Sequence, residues 1–334
     1  MYGDSMKITL IIPYFGKKPE IFSLWMKSAG CNTDIDFLVF TDFANEMEEI
    51  NKYRNIRIVQ TEFNSFAKLI QDKMRGVINC KISMPYKLCD YRPAYGYCLS
   101  EYIRDCDYWG YCDMDLVFGR ISKFIQAPIL SGMDKVYRHG HLTLFRNNQI
   151  NNELFLQKTP GIIPFAKVAS SSWSYHFDEN GGINKICSDF HLPIYDSDDM
   201  ADIDWRYNNL IKGSDEHTDW CDSPSDRQVY VWNRGTLYEC RMAGEDVQWT
   251  EKVYVHLQKR KLKIQNGLCT DRPVIITPMG IFNYEGKISP EFIQLHTFSQ
   301  VEYTDTYLEY QKKQNLRFFD LNYIMYKLQC LKYR

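Results

Sequence analysis

Two carboxylates separated by one residue, Asp113 and Asp115, are the residues whose type and spacing most clearly indicate chemistry. They fall inside the apolar run 108–118 (YWGYCDMDLVF), which predicts a strand with both acids on one side of its pleat. Paired oxygen ligands at the carboxyl end of a strand suit Mg²⁺ or Mn²⁺ shared with a diphosphate, because these ions take their remaining ligands from phosphate and water. Taken alone, the pair is also explained by capping of a following helix, predicted over 121–126.

The N-terminal part of the chain alternates between predicted strands and a helix. The run 7–15 (KITLIIPYF) is rich in β-branched residues and stops near a proline, as a buried strand does. Two further apolar runs, 34–42 and 55–62, follow it. The segment 19–30 opens with proline and closes on glycine, which predicts a helix. This order of elements predicts an α/β fold with a parallel sheet.

Further elements are expected along the chain. The segment 63–75 predicts a helix capped by Asn64 or Ser65. A second helix is predicted over 92–105, leading into the strand that carries the paired acids. Additional strands are predicted from the later apolar runs 141–146, 252–257 and 273–279.

The interval 178–226 is acidic, with thirteen carboxylates against three Lys+Arg. Its Ser, Asn and Gly content predicts loops and short helices laid over one end of the sheet. Within it, 196–204 (DSDDMADID) carries five carboxylates in nine positions, without the glycine and the regular spacing of an EF-hand loop. We therefore interpret 196–204 as an acidic surface loop.

Composition and missing motifs argue against several classes of protein. The formal charge is −2, without the basic excess that nucleic-acid binding requires. The 11 cysteines form no CxxC pair and predict free thiols in a reducing compartment. No signal peptide is recognisable and no apolar run approaches the roughly 20 residues that span a bilayer, so we expect a cytoplasmic location. The motifs of classical dehydrogenases, P-loop enzymes and serine hydrolases are absent.

The sequence around the paired acids resembles GT-A-fold glycosyltransferases. In that family an Asp- and Arg-bearing helix precedes a GxYxDxD strand, and here KLCDYRPAYG (87–96) precedes YWGYCDMD (108–115). FDENGGINK (177–185) is similar to a segment of retaining glycogenin-like and galactosyltransferase relatives. VHLQK (255–259) is similar to their HxxGxxKPW element, although Gly, Pro and Trp are missing here. The resemblance extends to bacterial polysaccharide-biosynthesis proteins with WGYCDxDxxFG and HLQKRK segments, over the chain to about residue 280.

The resemblance implies a nucleotide-sugar site. Asp113, Asp115 and His256 would bind the divalent ion, with Asp115 as the more direct ligand, and Lys259 would reach the diphosphate. Histidine is a poor ligand for Mg²⁺ but an acceptable one for Mn²⁺, so this set favours manganese. The other implied site residues are Asp90 and Arg92 for sugar or phosphates, Pro13, Tyr14, Phe15 and Asp42 for base and ribose, and Asp178 and Glu179 for catalysis beside the donor sugar and the acceptor.

The implied fold is a single GT-A-like, Rossmann-like α/β domain with a mixed, mostly parallel central sheet flanked by helices. We expect it to span 1–285, with a nucleotide-sugar half at 1–118 and an acceptor half that completes the metal site at 119–285. A helical extension would follow at 286–334. The implied activity is metal-dependent transfer of a sugar from a nucleotide donor, expected to be UDP-linked, to a glycan or glycolipid in bacterial surface polysaccharide assembly. The FDENGGINK segment favours retention at the anomeric carbon.

Other interpretations remain open. A nucleotidyltransferase also presents acids to a metal and a triphosphate, but it commonly has a Gly-rich basic loop after its first strand, and IPYFGKKPE has one Gly and two Lys. A sugar-binding module is a further alternative, although it would have no use for a metal pair beside a nucleotide pocket. A lone histidine in a run such as VYVHLQ is, by itself, more often a hydrogen-bonded core residue than a ligand.

The C-terminal stretch 309–334 combines six Lys/Arg with six aromatic residues and two acids. This composition permits an interfacial helix on the cytoplasmic face of an anionic membrane. The alternative is a helix docked on the catalytic domain. The residues that recur at roughly helical spacing are Phe318, Phe319, Tyr323, Tyr326 and Cys330.

Overall fold

A computed structural model describes the fold of this protein over 6–44, 52–179, 181–213, 226–316 and 321–333. These residues form a mixed α/β structure with one seven-stranded sheet and two smaller sheets. The expected mixed central sheet flanked by helices is therefore confirmed. The boundaries at 118 and 285 stay predictions.

The strands of the described residues are numbered in chain order. They are β1 (Ile8–Pro13), β2 (Ile35–Thr41), β3 (Ile56–Gln60), β4 (Tyr108–Cys112), β5 (Leu116–Phe118), β6 (Lys135–Val136), β7 (Leu142–Arg146), β8 (Ile194–Tyr195), β9 (Ala201–Asp202), β10 (Gln228–Asn233), β11 (Thr236–Ala243), β12 (Asp246–Lys252), β13 (Tyr254–His256), β14 (Val274–Thr277) and β15 (Gly280–Asn283). The α-helices are α1 (Phe22–Gly30), α2 (Phe63–Met74), α3 (Tyr95–Cys98), α4 (Ile121–Leu130), α5 (Gln149–Asn152), α6 (Phe165–Ser170), α7 (Ile183–Asp189), α8 (Pro290–Leu295), α9 (Asp305–Leu316) and α10 (Leu321–Tyr333).

The central sheet has the strand order β3-β2-β1-β4-β7-β6-β8. Its first four strands are mutually parallel, and β7 runs antiparallel to β4. Successive residues of β1 pack on opposite faces: Leu10 joins a cluster with Trp25 of α1, and Ile11 joins a cluster with Phe66 of α2. Burial on both faces explains why these strands are almost continuous apolar runs. Because parallel strands end at the same edge, the carboxyl ends of β1 and β4 lie side by side.

The predicted single strand 108–118 is two strands in different sheets. β4 ends at Cys112, and β5 pairs instead with β13 in a small sheet of order β5-β13-β9. Asp113 and Asp115 therefore lie in the link between the sheets, and the prediction that one pleat places them on the same side is wrong. The small sheet brings them together by another route, because it carries the residues that contact them.

A five-stranded antiparallel sheet, β12-β11-β10-β14-β15, packs against the small sheet. Trp232 of β10 is fully buried and its indole N–H donates to the carbonyl of Phe118 at 2.9 Å. The apolar runs predicted β7, β13 and β14. They did not predict β10, β11 and β12; charged residues interrupt β11 and β12, whereas β10 contains none.

The predicted helix 92–105 is wrong. A 3-10 helix over Pro85–Ala94 leads into the single turn of α3, and a 3-10 turn follows at Ser100–Tyr102. Pro93 lies inside the first of these elements and disfavours a regular α-helix there. The helix predicted over 63–75 is confirmed as α2, but neither predicted cap is used, since Glu62 precedes it and makes no side-chain capping bond.

Helix α10 docks on the body of the protein. Tyr326 stacks on Trp173 at 5.3 Å and meets Tyr175 edge-on at 5.2 Å. Cys330 and Tyr333 pack against the core cluster that includes Phe165 and Phe177. Tyr326 and Cys330, two of the residues at helical spacing, thus face the protein, as the interpretation of a docked helix expects. Phe318 and Phe319 lie outside the described residues.

Among the described helices, none is long and apolar enough to cross a membrane. The ten cysteines within the described residues are all free thiols. Five of these cysteines are buried.

Candidate metal and ligand-binding site

A cavity of about 950 Å³ opens at the carboxyl edge of the central sheet. Its walls come from the segment after β1, the 3-10 helix that precedes α3, the β4–β5 link, the segment before β7, and the segment after β13. This is the size and position at which α/β proteins bind small ligands. The cavity therefore gathers residues that are distant in the sequence.

Asp113, Asp115 and His256 form a cluster on the cavity wall, which we call the acid–histidine group. The Nε2 atom of His256 lies 3.2 Å from Oδ1 of Asp115 and 3.9 Å from Oδ2 of Asp113. One ligand atom from each of the three residues can be chosen so that all lie within 4.8 Å of one another. Three residues that are expected together from the sequence are thus brought together.

Backbone contacts fix the acid–histidine group in place. The Asp113 amide donates to the His141 carbonyl at 3.1 Å, and the indole N–H of Trp25 donates to the Asp113 carbonyl at 3.0 Å. The Leu257 amide donates to the Asp115 carbonyl at 3.0 Å. Both acids are therefore anchored by their main chain, which leaves their side chains 27% and 36% exposed to the cavity.

The environment of His256 fits a metal ligand. Its Nδ1 atom lies 2.7 Å from Oδ1 of Asp202, so the other ring nitrogen is the one that faces Asp113 and Asp115. Burial lowers the pKa of His256, but Asp115 and Asp202 outweigh it and the net pKa is raised well above the usual value. A site that attracts a proton so strongly offers the same negative potential to a cation. Two carboxylates and one imidazole are a donor set that Mn²⁺ accepts.

Arg92 links the acid–histidine group to a second pair of acids. Its guanidinium contacts Asp113 and donates to Oδ2 of Asp178 at 2.9 Å and to the Gly140 carbonyl at 2.8 Å. A Cβ atom on Gly140 would lie 2.8 Å from Asp178 Oδ2 and 2.8 Å from Glu179 Oε1. Glycine is therefore what permits the two carboxylates to approach this backbone.

Asp178 and Glu179 lie on the cavity wall with perturbed acidities. Burial raises the pKa of Asp178 to about 7, although Arg92 opposes the shift. Burial also raises the pKa of Glu179, with Arg92 again opposing it and Asp113 adding to it. The Oδ1 atom of Asp178 is buried without a hydrogen-bond partner. An acid with a pKa near neutrality and an unused oxygen can exchange a proton with a ligand.

Of the four residues expected to hold base and ribose, three line the cavity and one does not. Pro13, Tyr14 and Phe15 line the cavity, and burial together with Asp115 and Asp113 raises the pKa of Tyr14. Asp42 does not line it. Its carboxylate instead accepts the Gly16 amide at 3.0 Å and so holds the loop after β1.

Asp90 is not on the cavity wall either, because its side chain on the 3-10 helix is fully buried. Its carboxylate accepts the amides of Tyr175 at 3.0 Å and Phe177 at 2.9 Å, and the ammonium of Lys87 donates to it at 2.8 Å. These bonds leave it no capacity for a ligand and fix the segment that leads to Asp178. Asp90 thus positions that segment.

Basic side chains line the cavity beside the acid–histidine group, on two segments that we call the basic loops: 17–18 after β1 and 259–261 after β13. Lys259 lines the cavity, and its ammonium lies 4.6 Å from the ring centroid of Trp205 and 5.1 Å from that of Tyr310. Arg260 has a structural role, since it donates to the carbonyls of Asn208 at 3.1 Å and Asp204 at 3.2 Å.

The sequence analysis missed Asp202 and His141. The interpretation of 196–204 as a surface loop is wrong at Asp202, which lies in β9 opposite His256 of β13. A signal was present, because Ala201-Asp202-Ile203-Asp204 alternates apolar and acidic residues with the period of a strand. His141 precedes β7, and no local pattern relates it to Asp202 or His256.

The fold and this site define a mixed α/β protein with a cation-attracting cluster at the carboxyl edge of its sheet. The chain belongs to a family of unknown function, DUF6625, whose model matches residues 10–285. It matches no curated protein. Among solved structures it is similar to mouse xyloside xylosyltransferase 1 in its apo form, with 6% identity, a TM-score of 0.28, and coverage of 57% of this chain and 78% of that chain. A TM-score of that size carries no conclusion about fold or function.

Proposed function

We propose that the protein is a metal-dependent glycosyltransferase. It would take a sugar from a nucleotide donor, UDP-linked by preference, and pass it to a hydroxyl of a glycan or lipid-linked glycan. The observation that carries the proposal is the acid–histidine group, which opens into a cavity of about 950 Å³ beside the two basic loops. That combination suits a ligand with a diphosphate and two further parts, a nucleoside and a sugar.

Asp113, Asp115 and His256 would hold Mn²⁺, or Mg²⁺. The ion would neutralise the negative charge that builds on the diphosphate as it departs. Lys17, Lys18 and Lys259, which line the same cavity, would add positive potential that attracts the donor. Pro13, Tyr14 and Phe15 would contact the nucleoside.

In the transfer, the bond between the anomeric carbon and the diphosphate oxygen breaks, and a bond to the acceptor hydroxyl oxygen forms. The acceptor hydroxyl proton would pass to the Asp178 carboxylate, and the nucleoside diphosphate leaves with the electron pair of the broken bond. Asp178 is the carboxylate we assign to the reacting sugar and the acceptor, with Glu179 beside it, because its pKa of about 7 allows it to hold or release a proton at neutral pH. Arg92 contacts both Asp113 and Asp178. It would therefore hold the metal site and the proton-exchanging acid in a fixed arrangement.

The setting we propose is bacterial surface polysaccharide or lipopolysaccharide assembly in the cytoplasm, with retention at the anomeric carbon. The sequence resemblance alone supports the pathway and the stereochemistry. Free cysteines among the described residues agree with a reducing compartment.

We also propose that α10 touches the inner membrane, through a different face from the one expected. Four large apolar side chains of α10 are exposed, Ile324 at 39%, Met325 at 56%, Leu328 at 53% and Leu331 at 66%. Residues 321–333 include Lys327 and Lys332 and no acid. An apolar helix face that carries lysines suits anionic headgroups better than a second copy of itself, where the lysines would repel.

Sedimentation with lipid vesicles tests the membrane contact. The protein should bind vesicles that contain phosphatidylglycerol and not pure phosphatidylcholine vesicles, and Leu328→Asp should weaken binding at least about tenfold. Leu295→Asp, at a leucine that is 72% exposed outside α10, is the matched control and should change nothing. Equal binding by the Leu328 variant, or dimerisation through α10 without vesicle binding, would refute the contact.

Thermal shift and turnover assays test the glycosyltransferase proposal. UDP and UDP-sugars should raise the melting temperature more with Mn²⁺ than with EDTA, because a ligand that binds the native state stabilises it. Nucleotide-sugar hydrolysis or transfer should follow the same metal dependence. Equal shifts with and without metal, in protein shown to be metal-free, would count against it. Turnover of a nucleoside triphosphate with a sugar phosphate would instead favour the nucleotidyltransferase.

A further inference from the structure

We propose that Asp202 is the residue that sets the metal-binding orientation of His256, and that His141 and Gln258 hold Asp202 for this task. The inference rests on the proposed metal site and names a positioning residue behind it. Asp202 of β9 lies directly opposite His256 in the register with β13. This pairing places a carboxylate behind the imidazole, on the far side from Asp113 and Asp115.

Hydrogen bonds to one oxygen of Asp202 define the ring orientation. Oδ1 lies 2.7 Å from Nδ1 of His256 and accepts the side-chain amide of Gln258 at 2.8 Å. With the Nδ1 proton donated to Asp202, a neutral His256 presents the lone pair of Nε2 to the side of Asp113 and Asp115. A carboxylate behind a ligating histidine fixes its tautomer and raises its basicity in metal sites generally.

The backbone at Gln258 supports the same assignment. Gln258 has a φ of 51°, a left-handed conformation that a residue of this type rarely adopts. Such strain persists where surrounding contacts impose it, and here the conformation accompanies the bond from its amide to Asp202.

His141 closes the other side of Asp202. Its Nε2 atom is 3.7 Å from Oδ2 of Asp202 and is buried without a hydrogen-bond partner, while its Nδ1 atom lies 2.6 Å from the Tyr254 hydroxyl. Its ring centroid is 4.5 Å from that of His256. His141 is 5% exposed, so its ring is a buried surface against which Asp202 and His256 pack.

Asp202 could itself be a ligand, since His141, Asp202 and His256 also have possible ligand atoms within 4.8 Å of one another. The positioning role accounts for more of the geometry. Oδ1 of Asp202 already takes two hydrogen bonds, one of them at the ring nitrogen of His256 that faces away from Asp113 and Asp115. In this arrangement Nδ1 of His256 donates to Asp202, and Nε2 would bind the ion.

Titration of the full-length, metal-free protein with Mn²⁺, followed by the electron paramagnetic resonance of free Mn²⁺, tests the inference without turnover. Asp202→Asn should weaken Mn²⁺ binding about 10- to 100-fold, because the amide is a poorer acceptor for the Nδ1 proton. Excess Mn²⁺ should restore most of its turnover. Asp199→Asn, in the same acidic segment but off the cavity wall, is the matched control and should bind Mn²⁺ like the wild type.

Gln258→Ala keeps the Asp202 carboxylate and removes one of its hydrogen bonds. It therefore tests the inference even if the Asp202 variant does not fold. It should weaken Mn²⁺ binding by about threefold, which corresponds to about 0.65 kcal/mol. Wild-type Mn²⁺ affinity in both folded variants would overturn the inference, as would loss of binding in the Asp199 control. Absence of Mn²⁺ binding by the wild type is a different outcome, because it would refute the metal site of the proposed function itself.

Discussion

Asp90 and Asp113 are buried or partly buried carboxylates that each pair with a cation on the same short 3-10 helix, yet their surroundings differ. Asp90 and Lys87 are both fully buried and pair with each other. Asp90 also accepts from backbone amides, and Lys87 also donates to backbone carbonyls. Asp113 shares one arginine with Asp178 and faces a third acid, Asp115, across an imidazole. A closed pair that satisfies itself holds the chain together, whereas an open cluster with excess negative charge is equipped to bind something else.

The 3-10 geometry explains how one helix serves both regions. With three residues per turn, Lys87 and Asp90 lie one above the other and form their ion pair. Arg92 comes about two-thirds of a turn after Asp90 and points into the cavity instead. Residues two positions apart therefore have different roles, although both were expected at the ligand.

The largest effect should come from breaking the buried ion pair between Lys87 and Asp90. Asp90→Asn leaves the ammonium of Lys87 buried without its charge partner and should cost about 3–5 kcal/mol in the free energy of unfolding. Urea denaturation measures it. The Mn²⁺ affinity of the folded fraction should stay within about twofold of the wild type. A stable Asp90 variant with impaired Mn²⁺ binding would show that the buried ion pair and the acid–histidine group do not have separate roles.

Asp115→Asn should give the opposite result. Transfer or hydrolysis of the donor should fall at least about 100-fold, or about 2.7 kcal/mol in transition-state stabilisation, because one charged ligand of the ion is lost. The melting temperature of the metal-free protein should fall only modestly, since the change removes the partly exposed carboxylate that contributes most to holding His256 protonated. Asp105→Asn, at an exposed acid near the same strand, is the matched control. Wild-type turnover by the Asp115 variant would remove the basis for the metal role.

Gly140→Ala sharpens the comparison inside the open region. The added Cβ would meet Asp178 and Glu179 at 2.8 Å, so the acids must shift. We expect about a tenfold loss of kcat/KM, or about 1.4 kcal/mol, with Mn²⁺ affinity unchanged. If steady-state kinetics show no loss, the positions of these two acids do not matter for turnover.

The smallest effect belongs to an exposed ion pair. Lys73 and Glu101 lie 2.6 Å apart with side chains 37% and 57% exposed. Glu101→Gln should lower the urea midpoint of unfolding only slightly and leave both Mn²⁺ binding and turnover unchanged, because water and salt screen an exposed ion pair. A larger loss in chemical denaturation would show that burial does not separate strong from weak pairs in this protein.

The sequence predicts the regular part of this fold well, for a physical reason. β1, β2, β3, α1 and α2 are local patterns of apolar residues, with proline or glycine boundaries at β1 and α1, and each can be recognised within its own segment. The same logic failed at 92–105, where 3-10 segments and the single turn of α3 replace the expected helix. It also failed at 236–252, where charged residues interrupt the partly exposed strands β11 and β12.

The acid–histidine group was predictable because the motif of the resemblance contains all three residues. Asp202 and His141 were not, since their role depends on a two-residue strand pairing with β13 and on a contact across 61 positions of the chain. Asp90 shows the converse case: the resemblance implied a ligand contact, whereas its side chain on the 3-10 helix is fully buried.

The central claim is that Asp113, Asp115 and His256 hold a divalent ion beside a nucleotide diphosphate. A crystal of the protein grown with Mn²⁺ and UDP, measured on both sides of the manganese absorption edge, tests it most directly. The account predicts one strong anomalous peak within bonding distance of Asp115 and of Nε2 of His256, with the diphosphate in contact with it. An anomalous peak elsewhere, or UDP bound in the cavity with no manganese between the diphosphate and these side chains, would contradict the account.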